Sequence, residues 1–160
     1  MPATSSALEL GDLALTWSNT SGSADLSMID SDLASDLGLE TAMLLSLLTD
    51  RRAQPDDVPP SGDASDRRGW WADEFLPVEG DQYGSRMWLL DRSKLIGETL
   101  LKAKGFAAEC WQWLIDDHVA SSIDITVTRL PNGFAIAAIV QRPARDPLSF
   151  RFAHTWDHQT

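Results

Sequence analysis

The sequence predicts an α+β domain, and three observations carry that prediction. Apolar residues recur at steps of three and four through the middle of the chain. Near residue 125 they switch to strict alternation with polar residues, and a Pro-Asn-Gly turn follows that alternation. Central helices followed by an antiparallel meander are an α+β arrangement.

Residues 1–7 read as a loose tail and residues 8–160 as one domain, the size expected of a chain of 160 residues. Between Leu8 and Trp17, the order Leu13, Leu15, Trp17 has the period of a strand. The cluster Ser18-Asn19-Thr20-Ser21-Gly22-Ser23 is a turn, and Asp25 to Ile29 would return to complete a hairpin. Leu37 to Arg51 reads as a helix, with Leu39, Ala42, Met43, Leu44, Leu45, Leu47 and Leu48 leaving little polar face, so burial nearly all round is expected. Asp36 suits its N-cap, Glu40 its first turn, and Arg51 and Arg52 its C-terminal end. Pro55, Pro59, Pro60 and Gly62 make residues 54–65 a loop. From Asp91 to Asp117 the stripe Ile96, Leu100, Ala103, Ala107, Trp111, Leu114 is helical, with Gly105 as a candidate break. Ile123, Ile125 and Val127 alternate with Asp124, Thr126 and Thr128, a half-buried strand. Pro131-Asn132-Gly133 turns the chain, Phe134 to Gln141 returns, and Ser149 to Trp156 is a third strand.

Composition narrows the function. Thirteen basic residues against twenty-four acidic give a net charge of −11, which repels phosphate backbones and argues against nucleic-acid binding. No apolar run reaches the ~20 residues of a membrane span. The start, Met1-Pro2-Ala3-Thr4-Ser5-Ser6, is not that of a signal peptide, so a cytoplasmic protein is expected. The single Cys110 excludes an internal disulfide, and His118, His154 and His158 lack ligand spacing, so neither a metal nor another cofactor is expected. Cys110 lies in the helical stripe and reads as a small buried hydrophobe rather than a nucleophile.

Paired carboxylates perform glycoside hydrolysis. The candidates are Asp73 with Glu74 and Asp116 with Asp117, but sequence neighbours point apart, and a solvated surface is the simpler reading. Asp116-Asp117 is nonetheless odd. Two acids at a helix C-terminus oppose its dipole, at about 0.3–1 kcal/mol each, unless a cation compensates. Arg86 or Arg92 could supply one internally, or a partner could.

The most informative segment is Asp66-Arg67-Arg68-Gly69-Trp70-Trp71-Ala72-Asp73 with Gly84-Ser85-Arg86-Met87-Trp88-Leu89-Leu90. Trp and Arg are the residues most enriched at interface hot spots. In an extended segment Trp70 and Trp71 face opposite ways, so one packs inward. The other is either covered by the 54–65 loop or docks on another chain, with Arg67 and Arg68 answering acidic partner surface. A terminal strand can accept a strand from another chain, and the stretch from Ser149 to His154, with Phe150 and Phe152, is a fair template.

Three stretches together resemble one family: Asp36-Leu37-Gly38-Leu39-Glu40-Thr41-Ala42 running to Leu48-Thr49-Asp50-Arg51-Arg52-Ala53; the Trp/Arg segment; and Trp113-Leu114-Ile115-Asp116-Asp117 before the meander. The pattern, from about residue 8 to residue 156, resembles the Mu-type phage tail baseplate family, that of the Mu gene 46 product. The family is more distantly similar to the small wedge protein of T-even phages on which the sheath begins to polymerise. The resemblance implies a structural baseplate wedge subunit of a contractile tail, not an enzyme. It would link wedge proteins and template the first sheath ring, in about six copies around the tail tube. The implied partners are other wedge proteins, the tail sheath protein and the central hub or tube, and the implied place is the virion tail, assembled in a bacterial cytoplasm. The T-even type carries a Glu-Pro-Arg motif between its last helix and its sheet. Here that place reads Ile115-Asp116-Asp117-His118-Val119, so those contacts do not carry over. The wedge relatives were long labelled lysozyme-like, which makes a peptidoglycan-cleaving glycosidase the alternative. For the interface, the candidate residues are Arg67, Arg68, Trp70, Trp71, Asp116, Asp117, His118, Phe150 and Phe152.

Overall fold

The computed structural model describes residues 39–75, 82–91, 93, 94, 96–143 and 145–155, and of residues 12–36 only the backbone of short strands. The expected tail at 1–7, Arg92, Trp156 and His158 lie outside the described residues.

The expected N-terminal hairpin is present in shorter pieces. Strand β2 (Leu15–Ser18) pairs with β3 (Ser23–Leu26), with Ser18 opposite Ser23, and the Ser/Gly cluster between them lies outside the described residues. Around it, β1 (Asp12–Leu13) pairs with β6 (Ser35–Asp36), and β4 (Met28–Ile29) with β5 (Asp32–Leu33). Asp36 therefore belongs to β6, opposite Asp12, and is not the N-cap expected of it.

Helix α1 (Leu39–Leu48) is shorter than the expected 37–51 and is not buried all round. Met43, Leu44 and Leu47 enter the core, whereas Leu45 and Leu48 are 42% and 38% exposed. Leucine at every position of a turn cannot reach one core, because successive helical residues point 100° apart. The helix stops because the next residues find another partner: Arg51 N–H donates to the Ser85 carbonyl at 2.9 Å and Ser85 N–H to the Thr49 carbonyl at 2.8 Å. Arg51 and Arg52 lie beyond the helix.

The long helical stripe is also divided. Helix α2 (Gly97–Cys110) and the single turn α3 (Trp113–Asp116) are separated at Trp111 and Gln112, whereas Gly105 lies within α2. Trp111 explains the break. Its ring is fully buried, its indole N–H donates to the Met43 carbonyl at 3.0 Å, and its edge meets Phe150 with centroids 5.3 Å apart. Ala103 and Ala107 are fully buried, and these small residues let α2 lie close against the sheet. Ile96 precedes the helix and is half exposed, so the stripe begins one turn later than its spacing suggests.

The sheet follows the expected pattern. Strands β7 (Ser122–Leu130), β8 (Gly133–Gln141) and β9 (Leu148–Thr155) form an antiparallel meander, with β8 central. Leu130 pairs with Gly133 across a turn at Pro131-Asn132. One face carries Ile125, Phe134, Ile136, Ala138, Val140, Phe150 and Phe152 into the core with α1 and α2. Asp124, Thr126 and Thr128 face solvent.

Candidate protein-docking surfaces

The segment Thr49-Asp50-Arg51-Arg52-Ala53 holds the two Trp/Arg stretches together. Besides the exchange with Ser85, Ala53 N–H donates to the Arg67 carbonyl at 2.9 Å, and the Trp88 indole N–H donates to the Arg51 carbonyl at 2.9 Å. Ser85 is buried, and its hydroxyl donates to the Leu47 carbonyl at 2.6 Å. Gly84 makes this approach possible: its φ is +101°, and a Cβ there would lie 2.4 Å from the Thr49 carbonyl oxygen. The proximity of these motifs is a backbone fact that no local sequence pattern announces.

The two arginines have different settings. Arg67 donates to the carbonyls of Gln54 (2.6 Å), Pro55 (3.3 Å) and Asp57 (3.4 Å), clamping the start of the Pro/Gly loop. Arg68 pairs with Asp50 at 2.7 Å, with Asp66 at 3.9 Å, and lies 4.4 Å from the ring centroid of Trp88. Burial pulls its pKa down, but the Asp50 bond and the charges of Asp50, Asp66 and Asp91 outweigh that and raise it.

Trp70 and Trp71 are not in an extended segment. Residues Trp71–Phe75 form a short 3₁₀ helix that Trp70 leads into. Trp70 is half-buried beside Tyr83, with centroids 5.1 Å apart. Trp71 is 77% exposed, so the 54–65 loop does not cover it. The ring of Phe75, 76% exposed, lies 6.3 Å from that of Trp71. Sequence reading missed Phe75, which closes the same short 3₁₀ turn that Trp71 opens. Tyr83, Trp70, Trp71 and Phe75 thus form one aromatic row, anchored at one end and bare at the other. Asp73 in the same turn accepts the Tyr83 N–H at 3.0 Å, and Glu74 is exposed.

A second surface centres on α3, across the cleft that Tyr83 also lines. Asp116 and Asp117 are exposed, and His118, also exposed, adopts a left-handed φ of +58° as the chain leaves the helix. Arg86 does not compensate these acids. It reaches Asp57 at 2.9 Å and Glu109 at 2.9 Å, with Phe106 4.8 Å below its guanidinium. Burial lowers its pKa, and those two carboxylates raise it further than burial lowers it. Arg51 is similarly engaged, 3.7 Å from Glu109. Asp116 accepts a neutral partner, the Gln112 amide, at 3.0 Å. A cleft of about 680 Å³ opens here between α1, residues 82–84 and the α2–α3 junction. Phe150 and Phe152 point inward, 8% and 1% exposed, so their rings serve the core. Cys110 is buried, its thiol pKa driven far above the usual range by burial and the Glu109 charge. No metal-binding group of His, Cys, Asp and Glu occurs among the described residues, and no described helix is long and apolar enough to cross a membrane.

Residues 39–147 match the family described as Phage protein GP46. The chain belongs to the GP46 family. It is 39% identical over 125 residues to the protein named baseplate protein gp46 of Escherichia phage Mu, covering 77% of this chain and 81% of that one. It is 38% identical over 116 residues to the Mu-like prophage FluMu protein gp46 of Haemophilus influenzae, covering 72% and 75%. The GP46 match begins with the first residue of α1 and ends just before β9. It therefore holds the aromatic row, the arginines and the acidic end of α3, while Phe150 and Phe152 lie beyond it.

Proposed function

We propose that this chain is a structural subunit of a phage tail baseplate, a wedge component of a contractile tail that links wedge proteins and offers the first sheath ring a template. The kinship with the Mu baseplate protein carries this reading. The surfaces support it physically. Trp71 and Phe75 present two large, rigid, apolar rings on a turn held by the Thr49–Ala53 hub, the kind of anchor that dominates interface energetics. Trp70 backs them, the Arg67 and Arg68 clamps keep the mount in place, and Arg67, which bonds carbonyls rather than a carboxylate, lends it positive charge toward an acidic partner. Asp116, Asp117 and His118, with the neighbouring meander, form the side turned to the sheath. The partners on this reading are other wedge proteins, the sheath protein and the hub or tube, with about six copies per particle from the ring symmetry of tails. Assembly takes place in the bacterial cytoplasm and ends in the virion.

The glycosidase alternative needs two convergent carboxylates, one in an apolar pocket. Asp73 is engaged by a backbone N–H and Glu74 is exposed. Asp116 and Asp117 share the cleft with Glu109, but both are exposed and Glu109 is paired with Arg51 and Arg86, so none of these carboxylates is held unpaired in an apolar pocket. A tagged chain is to be pulled down gently from a lysate producing particles, and every co-purifying protein identified. Recovery of other tail proteins in fixed ratio is expected. Isolation of the chain alone from a lysate containing intact tails would overturn the proposal, and clearing of a murein gel by the pure chain would replace it with the enzyme.

A further inference from the structure

We infer that a basic cleft, formed where the chain leaves α3 beside the end of β8, receives an acidic segment of a neighbouring tail protein. An aspartate or glutamate of that segment lies against Arg142 and Arg145. The inference deepens the baseplate reading and rests on it. The cleft encloses about 460 Å³, within the ~300–1,000 Å³ of ordinary binding pockets. Its charged lining is His118, Arg142 and Arg145, and no described carboxylate lines it. In a chain with twenty-four acidic residues against thirteen basic, such a lining runs against composition. The fold brings these residues together. Ala120 N–H donates to the Leu114 carbonyl at 2.7 Å, and His118 takes its left-handed φ within that turn. The Ser121 N–H and hydroxyl both donate to the Gln141 carbonyl, at 2.8 Å and 3.2 Å, which ties the exit from α3 to the residue before Arg142.

The two arginines are set in place but not neutralised. Arg142 donates from Nε and Nη2 to the Asp146 carbonyl, at 2.9 Å and 2.6 Å. That acceptor is neutral, so the guanidinium is oriented with its charge intact. Arg145 is exposed. Among the described residues neither has a carboxylate within ion-pair distance, whereas Arg51, Arg68 and Arg86 are all paired. A cation oriented in advance bonds an incoming carboxylate at a smaller entropic cost. The rest of the lining is apolar and includes Leu39, Trp113, Pro143 and Val119, the last 37% exposed. A small free anion would answer the arginines and leave these surfaces in water. A polypeptide with an apolar residue beside its acid covers both. Nucleic acid also carries anions, but a net charge of −11 repels it. Asp116 and Asp117 line the larger cleft across Trp113, so the incoming acid is confined to the arginine side.

The test uses the full chain in cells producing particles. A photoreactive p-benzoylphenylalanine replaces Pro143, exposed at the cleft wall, or Phe75 on the aromatic row as a control. Purified tails are irradiated and the captured peptides sequenced. The expected capture at position 143 is a segment of another tail protein containing aspartate or glutamate. Its yield falls about tenfold with Arg142→Glu plus Arg145→Glu, while capture at position 75 holds. Should that variant melt early, Arg145→Glu alone takes its place, with a fall of about threefold expected. Reversal of the captured acid to lysine restores the yield of the Arg145→Glu chain. Capture of this chain itself, of a segment without acidic residues, or at a yield indifferent to the charge change overturns the inference. So does absence of capture at 143 while position 75 captures tail proteins, an outcome that leaves the baseplate reading standing. Absence of the chain from purified tails overturns both.

Discussion

At the scale of single residues, backbone geometry outweighs side-chain chemistry. Gly84 carries no functional group, yet its left-handed φ and its 2.4 Å approach to the Thr49 carbonyl oxygen make it irreplaceable at the junction of two motifs. Gly84→Ala forces both a strained backbone and a clash with backbone atoms, and a loss of about 2–4 kcal/mol is expected from urea unfolding midpoints. Gly62 is a built-in comparison, since its φ is +76° but nothing lies within 4 Å of its Cβ position. Gly62→Ala should cost about 1 kcal/mol, the conformational part alone. Cys110 illustrates the same dominance of environment. Burial holds the thiol protonated, so a disulfide reagent at pH 8 should leave it untouched in the native state and react fully once urea unfolds the chain. Fast modification of the folded protein would mean that α2 opens locally.

At the scale of elements, ion pairs hold the loop to the helices. Arg86 joins Asp57 in the Pro/Gly loop to Glu109 in α2, and each of the three side chains is less than a third exposed. Removing the guanidinium strands Asp57 and leaves Glu109 to Arg51 alone, with both carboxylates partly shielded from water. Arg86→Ala should therefore cost about 1–2 kcal/mol after allowing for solvent screening. Arg86→Lys should recover only part, because one ammonium cannot copy the planar fork that serves both acids. Unfolding at 1 M salt checks the origin: screening should narrow the gap between parent and variant. Breaking the long helical stripe at Trp111 is the other element-scale decision. Gly105 has the lower helix propensity, but a full indole buried with its N–H on the Met43 carbonyl stabilises the interruption more than propensity opposes it.

At the scale of the whole molecule, two features face outward in different chemical terms: an aromatic row ending in Trp71 and Phe75, and an acidic end at α3. Exposed rings add little to folding, so Trp71→Ala plus Phe75→Ala should shift stability by about 0.5 kcal/mol per site or less. The same pair of changes should lower the amount of the chain in purified tails severalfold, read by quantitative mass spectrometry against the other tail proteins. Stable folding with undiminished incorporation would remove the aromatic row from the assembly surface.

Much of this fold was legible because its signals are local. The alternation from Ile123 to Thr128, the turn at Pro131-Asn132 and the spacing Ala103, Ala107, Trp111, Leu114 each report a repeat that a few neighbouring residues impose. The family was legible as well, because the Leu48–Ala53 and Arg67–Trp71 stretches occur together, and the match over residues 39–147 contains both. Tertiary structure alone decided the rest. It set the end of α1, since Thr49 and Arg51 bond Ser85, more than thirty residues away. It gave Arg86 to Asp57 and Glu109 instead of Asp116, and it turned Trp70 inward while Trp71 stayed bare. The physical reason is common to all three. Periodicity follows from the geometry of one element, whereas the partner of a charge, a carbonyl or a ring depends on which distant segments packing brings within a few ångströms.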